Sequence, residues 1–346
     1  MSSFPTSLPT PRTPHPTDAP ALRWGVLAPG WIAGRFVEAV KTHSGQRFVA
    51  VASRSAERAA AFAATFDIPR AYGGYAELVA DPEVDIVYIA SPHSEHREQA
   101  LLAIAAGKHV LLEKAFTRNA GEAREVVAAA AAAGVFLQEA MWTRFLPHID
   151  VVRQLIADGT LGEISTVIAD HGQYFTPDAA SRLFDPNLAG GALLDLGIYP
   201  VSFASFALGA PASVTAVGHQ AFTGVDGQIT AVLAAADGAQ AVVNTTLFSK
   251  TPTTASISGS LARLEIAGDF YAPSSVSLYS PDGDRVNWSN NEIFGHEGLV
   301  FQAAAAARSI AAGATESELM PLAETLTIME TMDEMRRQVG VTFPGE

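Results

Sequence analysis

The chain contains no cysteine. Disulfides, thiolate nucleophiles, cysteine-ligated zinc and iron–sulfur clusters are therefore excluded. A cysteine-free chain suits the cytoplasm. Positive charge is also scarce. The 22 Lys and Arg stand against 36 Asp and Glu, for a formal net charge of −14. That balance argues against a nucleic acid or an anionic membrane as partner. It leaves room for a phosphorylated small molecule, which a few local arginines can hold. No run approaches the roughly 20 uninterrupted apolar residues of a membrane span. The alanine-rich stretches 126–133 and 303–307 are short, flanked by charge, and read as helix. Residues 1–21 are rich in Pro, Thr and Ser and have no apolar run or twin arginine, so a disordered tail is expected rather than a secretory signal.

What is present is a text of two grammars. Length alone suggests roughly two domains, and 48% apolar residues can bury a large core. From residue 23, short apolar strands (24–27, 48–52, 86–90, 110–113, 135–139) alternate with helical runs (31–42, 56–66, 95–106, 120–133). Such alternation predicts right-handed βαβ units and a parallel sheet covered on both faces. After about residue 142 the pattern changes. Helix is expected at 149–158 and 201–207, strands at 164–174, 213–219, 228–234, 241–248, 254–258, 262–267 and 275–279, and closing helices at 301–312 and 322–339. Successive strands predict a mostly antiparallel open sheet with helices on one face. The expected fold is α/β: a doubly wound Rossmann domain over 22–143, then an α+β domain over 144–346.

The first strand runs into Ala28-Pro29-Gly30-Trp31-Ile32-Ala33, where a dinucleotide-binding unit carries its phosphate turn. Small residues let the backbone approach a pyrophosphate, and the next helix aims its N–H groups at it. As a string this is weak, because Gly30 alone survives of three glycines; its place between strand and helix strengthens it. The second strand ends at Ser53-Arg54-Ser55, followed by Arg58, where an NAD site usually carries an acid. Guanidinium groups there suit a 2′-phosphate, so NADP is expected over NAD. The other reading of Arg54 is a solvated loop residue with loose selectivity. Ser91-Pro92-His93-Ser94-Glu95-His96 follows the third strand and should border the cofactor. His93 and His96 lack a third ligand nearby, so no metal is expected; His96 fits a helix cap equally well.

The fourth strand ends at Glu113-Lys114. Lysine occurs four times in the chain, and this one stands at the ligand-binding edge of the sheet. There it could hold a hydroxyl, lower a partner's pKa and stabilise alkoxide charge. The alternative is a surface lysine. In Gly190-Gly191-Ala192-Leu193-Leu194-Asp195-Leu196-Gly197-Ile198-Tyr199, the acid and the phenol stand four apart and share a helix face. A carboxylate can orient a substrate hydroxyl and a phenol can transfer a proton. Spacing alone serves equally well for a capping Asp195 and a core Tyr199.

The chain resembles the glucose–fructose oxidoreductase / inositol dehydrogenase family, and within it the dimeric dihydrodiol dehydrogenase and NADP-dependent xylose dehydrogenase branch. The resemblance rests on residues 91–96, 107–114 (GKHVLLEK), 139–145 (EAMWTRF), 183–186 (LFDP), 190–199 and 295–298 (GHEG), and covers the chain from Arg23 onward. It implies a catalytic Lys114, a substrate-orienting Asp195 and a proton-transferring Tyr199. It also implies Trp142 and Arg144 near the nicotinamide and substrate, with Phe175 and Arg182 as further pocket candidates. The implied activity is hydride transfer between NADP (NAD possible) and a sugar, anhydrosugar or cyclic diol in a homodimer or larger homo-oligomer. A non-enzymatic dinucleotide sensor and a sugar–sugar oxidoreductase with retained cofactor are the rival readings. Two departures stand out. Ala28 replaces the first fingerprint glycine. Ala115 replaces the family's proline, and alanine favours a trans bond by about 3–4 kcal/mol.

Overall fold

A computed structural model describes residues 4–289 and 292–346. In chain order the first half runs β1 (Arg23–Leu27), α1 (Trp31–His43), β2 (Arg47–Ala52), α2 (Ala56–Phe66), β3 (Arg70–Tyr72), α3 (Tyr75–Val79), β4 (Ile86–Ile89), α4 (His93–Ala105), β5 (His109–Leu112), α5 (Ala120–Ala133) and β6 (Leu137–Glu139). The second runs α6 (Pro147–Ala157), β7 (Ile164–Gly172), α7 (Ile198–Leu208), β8 (Ser213–Gln220), β9 (Asp226–Ala234), β10 (Gln240–Thr246), β11 (Ala255–Gly259), β12 (Arg263–Ile266), β13 (Ser275–Tyr279), β14 (Arg285–Ser289), α8 (Val300–Ala311) and α9 (Leu322–Val339).

Two compact units result. The first comprises Pro14–Phe145 and Gly295–Leu326. Its six strands lie in the order β3-β2-β1-β4-β5-β6. The pairs are parallel throughout, which is the Rossmann order with its switch point beside β1. The strands are buried on both faces because helices cover both. Trp24 anchors the core, edge-on to Phe36 at 5.5 Å, with its indole N–H donating to Gln46 Oε1 at 2.9 Å. Local signals terminate the helices. Ser55 and Asn119 cap α2 and α5 through their side-chain oxygens, and Gly134 closes α5 in the left-handed conformation.

The second unit comprises Met1–Thr13, Leu146–Phe294 and Thr327–Glu346, with its first three residues outside the described ones. Its eight-stranded sheet has the order β14-β13-β12-β11-β7-β10-β9-β8. Every pair is antiparallel except β7 with β10. Helix α7 lies against β7 and β10. The register places Ile168, Val242 and Val232 in one row across β7, β10 and β9. Ile168 and Val232 of that row are exposed, so this face of the sheet is open.

Three expectations change. Strand β3 and helix α3 escaped the sequence pattern because they are three and five residues long and β3 is half-buried at a sheet edge. The segment 295–326 belongs with the parallel-sheet unit, since residues 295–299 and α8 pack on α1. The N-terminal stretch, expected to be disordered, makes defined contacts. Leu8 and Ala19 are buried, and Ala19 and Leu22 pack on Ala304 and Ala307 of α8. The Arg12 backbone N–H donates to Asp150 Oδ2 at 2.7 Å, and its guanidinium reaches Oδ1 at 3.2 Å.

Among the described residues, the stretch Pro186–Leu208 is long and apolar enough to cross a membrane, but most of it is buried inside the unit. Its apolarity belongs to the core.

Burial works against the charge on Asp150, but the N–H and guanidinium of Arg12 outweigh it and hold the carboxyl below its usual range. A depressed carboxyl contributes stability above its unfolded pKa, and that contribution is lost as pH falls through the folded value. Asp150→Asn should therefore lower the melting temperature at pH 7, and the gap should close below about pH 4. Melting curves of both proteins across pH check this.

Candidate active site

In the parallel-sheet unit, the expected phosphate turn joins β1 to α1. Ala28 stands at φ +59°, a left-handed conformation that costs an L-residue about 1–2 kcal/mol. The turn thus keeps a glycine-like backbone without the glycine. Gly30 is the N-cap of α1 and supplies no side-chain cap, which leaves the first-turn N–H groups for an anion. The space above Gly30 is open, for an added Cβ would meet nothing closer than Ala28 O at 3.9 Å. These residues fit a dinucleotide pyrophosphate. Ile32, the second residue of α1, is half-buried. Trp31 is 66% exposed, edge-on to His296 at 5.0 Å. His296 in turn lies parallel to Trp142 at 5.8 Å.

At the end of β2, Ser53 is buried while Arg54 and Arg58 are exposed. The Ser55 hydroxyl accepts from Arg58 N at 3.2 Å and donates to Glu57 at 2.7 Å, so its cap fixes the start of α2 beside both arginines. After β4, Ser91 and Pro92 lead into α4. His93 is nearly enclosed and lies edge-on to His96 at 5.5 Å. His96 is fully buried. Its Nε2 lies 2.9 Å from Ser91 O, and its Nδ1 lies 3.0 and 3.1 Å from the carbonyls of Ala115 and Phe116. The imidazole therefore ties the loop after β4 to the turn after β5.

That turn carries Lys114. Glu113 accepts from Tyr88 Oη at 2.5 Å and from the Lys114 backbone N–H at 3.2 Å. Lys114 is half-buried. The Lys114–Ala115 bond is cis, against the trans bond expected of alanine. Ala115 and Phe116 are fully buried, and both carbonyls face His96.

Arg144, expected near a pocket, is 3% exposed, and its guanidinium forks onto Glu324 at 2.5 and 3.2 Å. Close by, burial pushes Glu139 up to about 7, with the charge of Glu113 adding to the rise and Thr325 and Arg144 opposing it. Glu139 and His296 stand in the motifs quoted above without a site role, and Glu324 in none. The signal was faint because His296 and Glu324 meet Trp142 and Arg144 from well over a hundred residues away.

In the antiparallel-sheet unit, the helix that carries Asp195 and Tyr199 begins earlier than its apolar pattern suggests. A π turn spans Leu193–Gly197 and runs directly into α7. Such turns often mark functional sites. Asp195 and Arg182, expected separately, are an ion pair at 2.8 Å. Asp195 is buried and Arg182 half-exposed. Tyr199 is 7% exposed, with ring centres 5.4 Å from His171 and 4.6 Å from Tyr271. His171 and Tyr271 stack at 4.4 Å. Burial, and then Asp269, push the Tyr271 phenol up to about 12, so it stays protonated. Tyr271 is held in place from its neighbour, since His148 Nε2 lies 3.0 Å from Phe270 O. His171 lies in the expected strand 164–174, where nothing marks it as a site residue. Tyr271 lies in a loop whose path periodicity cannot trace. Phe175 packs against the apolar cluster that includes Leu183, Phe184 and Leu196.

Residues 22–141 match the family described as "Oxidoreductase family, NAD-binding Rossmann fold", and residues 149–269 match the GFO/IDH/MocA C-terminal domain. The chain belongs to the GFO/IDH/MocA oxidoreductases. It is similar to trans-1,2-dihydrobenzene-1,2-diol dehydrogenase of Mus musculus, with 38% identity over 94% of this chain and 99% of that protein. Among solved structures it resembles a 3-ketoreductase of Actinomadura kijaniata in complex with TDP-benzene and NADP. That match has 26% identity and a TM-score of 0.79, over 92% and 98% of the two chains. A levoglucosan dehydrogenase in complex with NADH and levoglucosan shares the fold at a TM-score of 0.85 and 19% identity, over 93% and 98% of the chains. The protein is thus a nicotinamide-dependent oxidoreductase.

Gly190 makes a sharp test of the segment ahead of the π turn. An added Cβ there would lie 2.5 Å from Arg182 O and 2.6 Å from Leu183 O, both of them backbone atoms. Gly190→Ala should therefore destabilise the fold by about 1–3 kcal/mol. A urea midpoint unchanged from wild type would contradict this packing.

Proposed function

We propose that this oxidoreductase moves a hydride between NADP and a CH–OH carbon of a sugar, anhydrosugar or cyclic diol, with Lys114, Asp195 and Tyr199 in the chemical roles. The observation that carries the proposal is the pair Asp195 and Tyr199 at one helix start. Both are nearly buried, and each is fixed in direction by a partner, Arg182 for the acid and the His171 and Tyr271 rings for the phenol. Similarity to the diol dehydrogenases across 94% of the chain supports the substrate class.

In the oxidative direction, the substrate hydroxyl gives its proton to the Tyr199 phenolate oxygen while the carbinol C–H bond breaks and a carbonyl forms. The nicotinamide, when bound, supplies the acceptor for the hydride. An unperturbed phenol, with a pKa near 10, is a poor base at neutral pH, and the ammonium of Lys114 lowers that barrier and stabilises alkoxide charge. Asp195 accepts a hydrogen bond from a neighbouring hydroxyl, which shares or displaces Arg182. Trp142, Arg144 and Glu113 support the cofactor side.

For the cofactor, Ser53, Arg54 and Arg58 favour NADP, since two exposed guanidinium groups stand where an NAD site carries an acid. The same reading takes the protein as cytoplasmic and as a homodimer or larger homo-oligomer. The open sheet face, with Ile168, Val217 and Val232 exposed, supports self-association.

Lys114→Met should reduce turnover by about 10²–10⁴-fold while dinucleotide still binds. Near-normal turnover of sugars and trans-diols in that variant would overturn its role. Arg54→Ala should weaken NADP by roughly 10- to 150-fold, the loss expected for about 1.5–3 kcal/mol of charged hydrogen bonding. NAD affinity should not change. Fluorescence titration with both dinucleotides checks this, and equal losses for the two would place Arg54 away from the 2′-phosphate.

A further inference from the structure

Asp226, the first residue of β9, has no part in the mechanism above, yet its side chain reaches the π turn. It is 1% exposed, and its Oδ2 accepts from the Leu193 backbone N–H at 2.6 Å. The carbonyl of the same peptide unit, Ala192 O, lies 3.2 Å from Thr245 Oγ1 of β10, a hydroxyl it shares with His171 O at 3.1 Å. One peptide plane is thus gripped at both ends from two adjacent strands, two residues before Asp195. The other oxygen of Asp226 lies over Gly191, where an added Cβ would come within 2.3 Å. Gly191 stands at φ +124°, so a side chain is excluded there on both counts.

We infer that Asp226 is a positioning residue: by fixing the Ala192–Leu193 peptide together with Thr245, it sets the direction in which the π turn presents Asp195 and Tyr199. The inference rests on the roles proposed above for those two residues. A carboxylate is an expensive group to bury. Burial pushes this one up to about 7, opposed by the Leu193 N–H and by Arg336 of α9, which itself pairs with Asp333 and Glu346. An apolar residue would fill the space without that cost, but it would leave the N–H of Leu193 unmatched.

The test is kinetic and uses readouts independent of how much protein is folded. Asp226→Ala should lower kcat roughly 10- to 100-fold. It should also raise the primary isotope effect seen with a carbinol-deuterated substrate, because misaligned groups make the hydride step slower. The dinucleotide KM should stay within about twofold of wild type, since the phosphate turn and Arg54 belong to the other unit. Asp226→Asn keeps an acceptor for Leu193 N–H and should recover part of the loss. If Asp226→Ala fails to fold, Thr245→Val removes the grip at the other end of the peptide and carries the same expectation. A wild-type kcat and isotope effect in Asp226→Ala, or in Thr245→Val where the former does not fold, overturns the inference. Asp195→Asn separates the two levels. If it is fully active, the underlying roles fail. If it is impaired while Asp226→Ala is not, this inference alone fails.

Discussion

The antiparallel-sheet unit is organised around one constraint, the close packing against the backbone of residues 190–197. Gly190 faces two carbonyl oxygens, Gly191 faces the Asp226 carboxylate, and Gly197 lies where a Cβ would come within 2.9 Å of the Thr245 methyl on β10. A helix set this near a strand loses the room for its ordinary first turn. The N–H and C=O groups released there must find partners elsewhere. Asp226 and Thr245 supply them for one peptide. The arrangement stands Asp195 and Tyr199 on a helix start fixed by strands rather than on a loop, and rigid elements hold reacting groups to tighter tolerances.

Much of this was legible in the sequence because it depended on local physics. The parallel sheet showed itself as apolar strands alternating with capped helices, and its strand ends located Arg54, His93 and Lys114. The four-residue spacing of Asp195 and Tyr199 singled out the π-turn segment, though not its geometry. What stayed hidden has a common cause, namely that its partners are distant in sequence. Glu324 faces Arg144 across 180 residues, and Thr325 faces Glu139 across 186. Asp226 meets Leu193 across 33. No periodicity couples such pairs. The tail shows a related limit. Its composition reads as disorder, yet Arg12 against Asp150 and Leu8 and Ala19 in buried positions give it a place.

The same logic explains how the cofactor half tolerates a poor fingerprint. A glycine-rich turn is a means to two ends, a left-handed residue and an unobstructed approach to the helix N-terminus. Ala28 meets the first at a cost of about 1–2 kcal/mol. Gly30 meets the second, because at the N-cap of α1 it carries no side chain and the space beside it is open. Of the three fingerprint positions, the middle one therefore bears most directly on the ligand, and it is the one kept as glycine. The first can change as long as the surrounding fold enforces the backbone, and here Ala28 N–H is anchored to Ala52 O at 3.1 Å, on the neighbouring strand. A motif counted by letters understates such a site; the same motif read as two backbone requirements is satisfied.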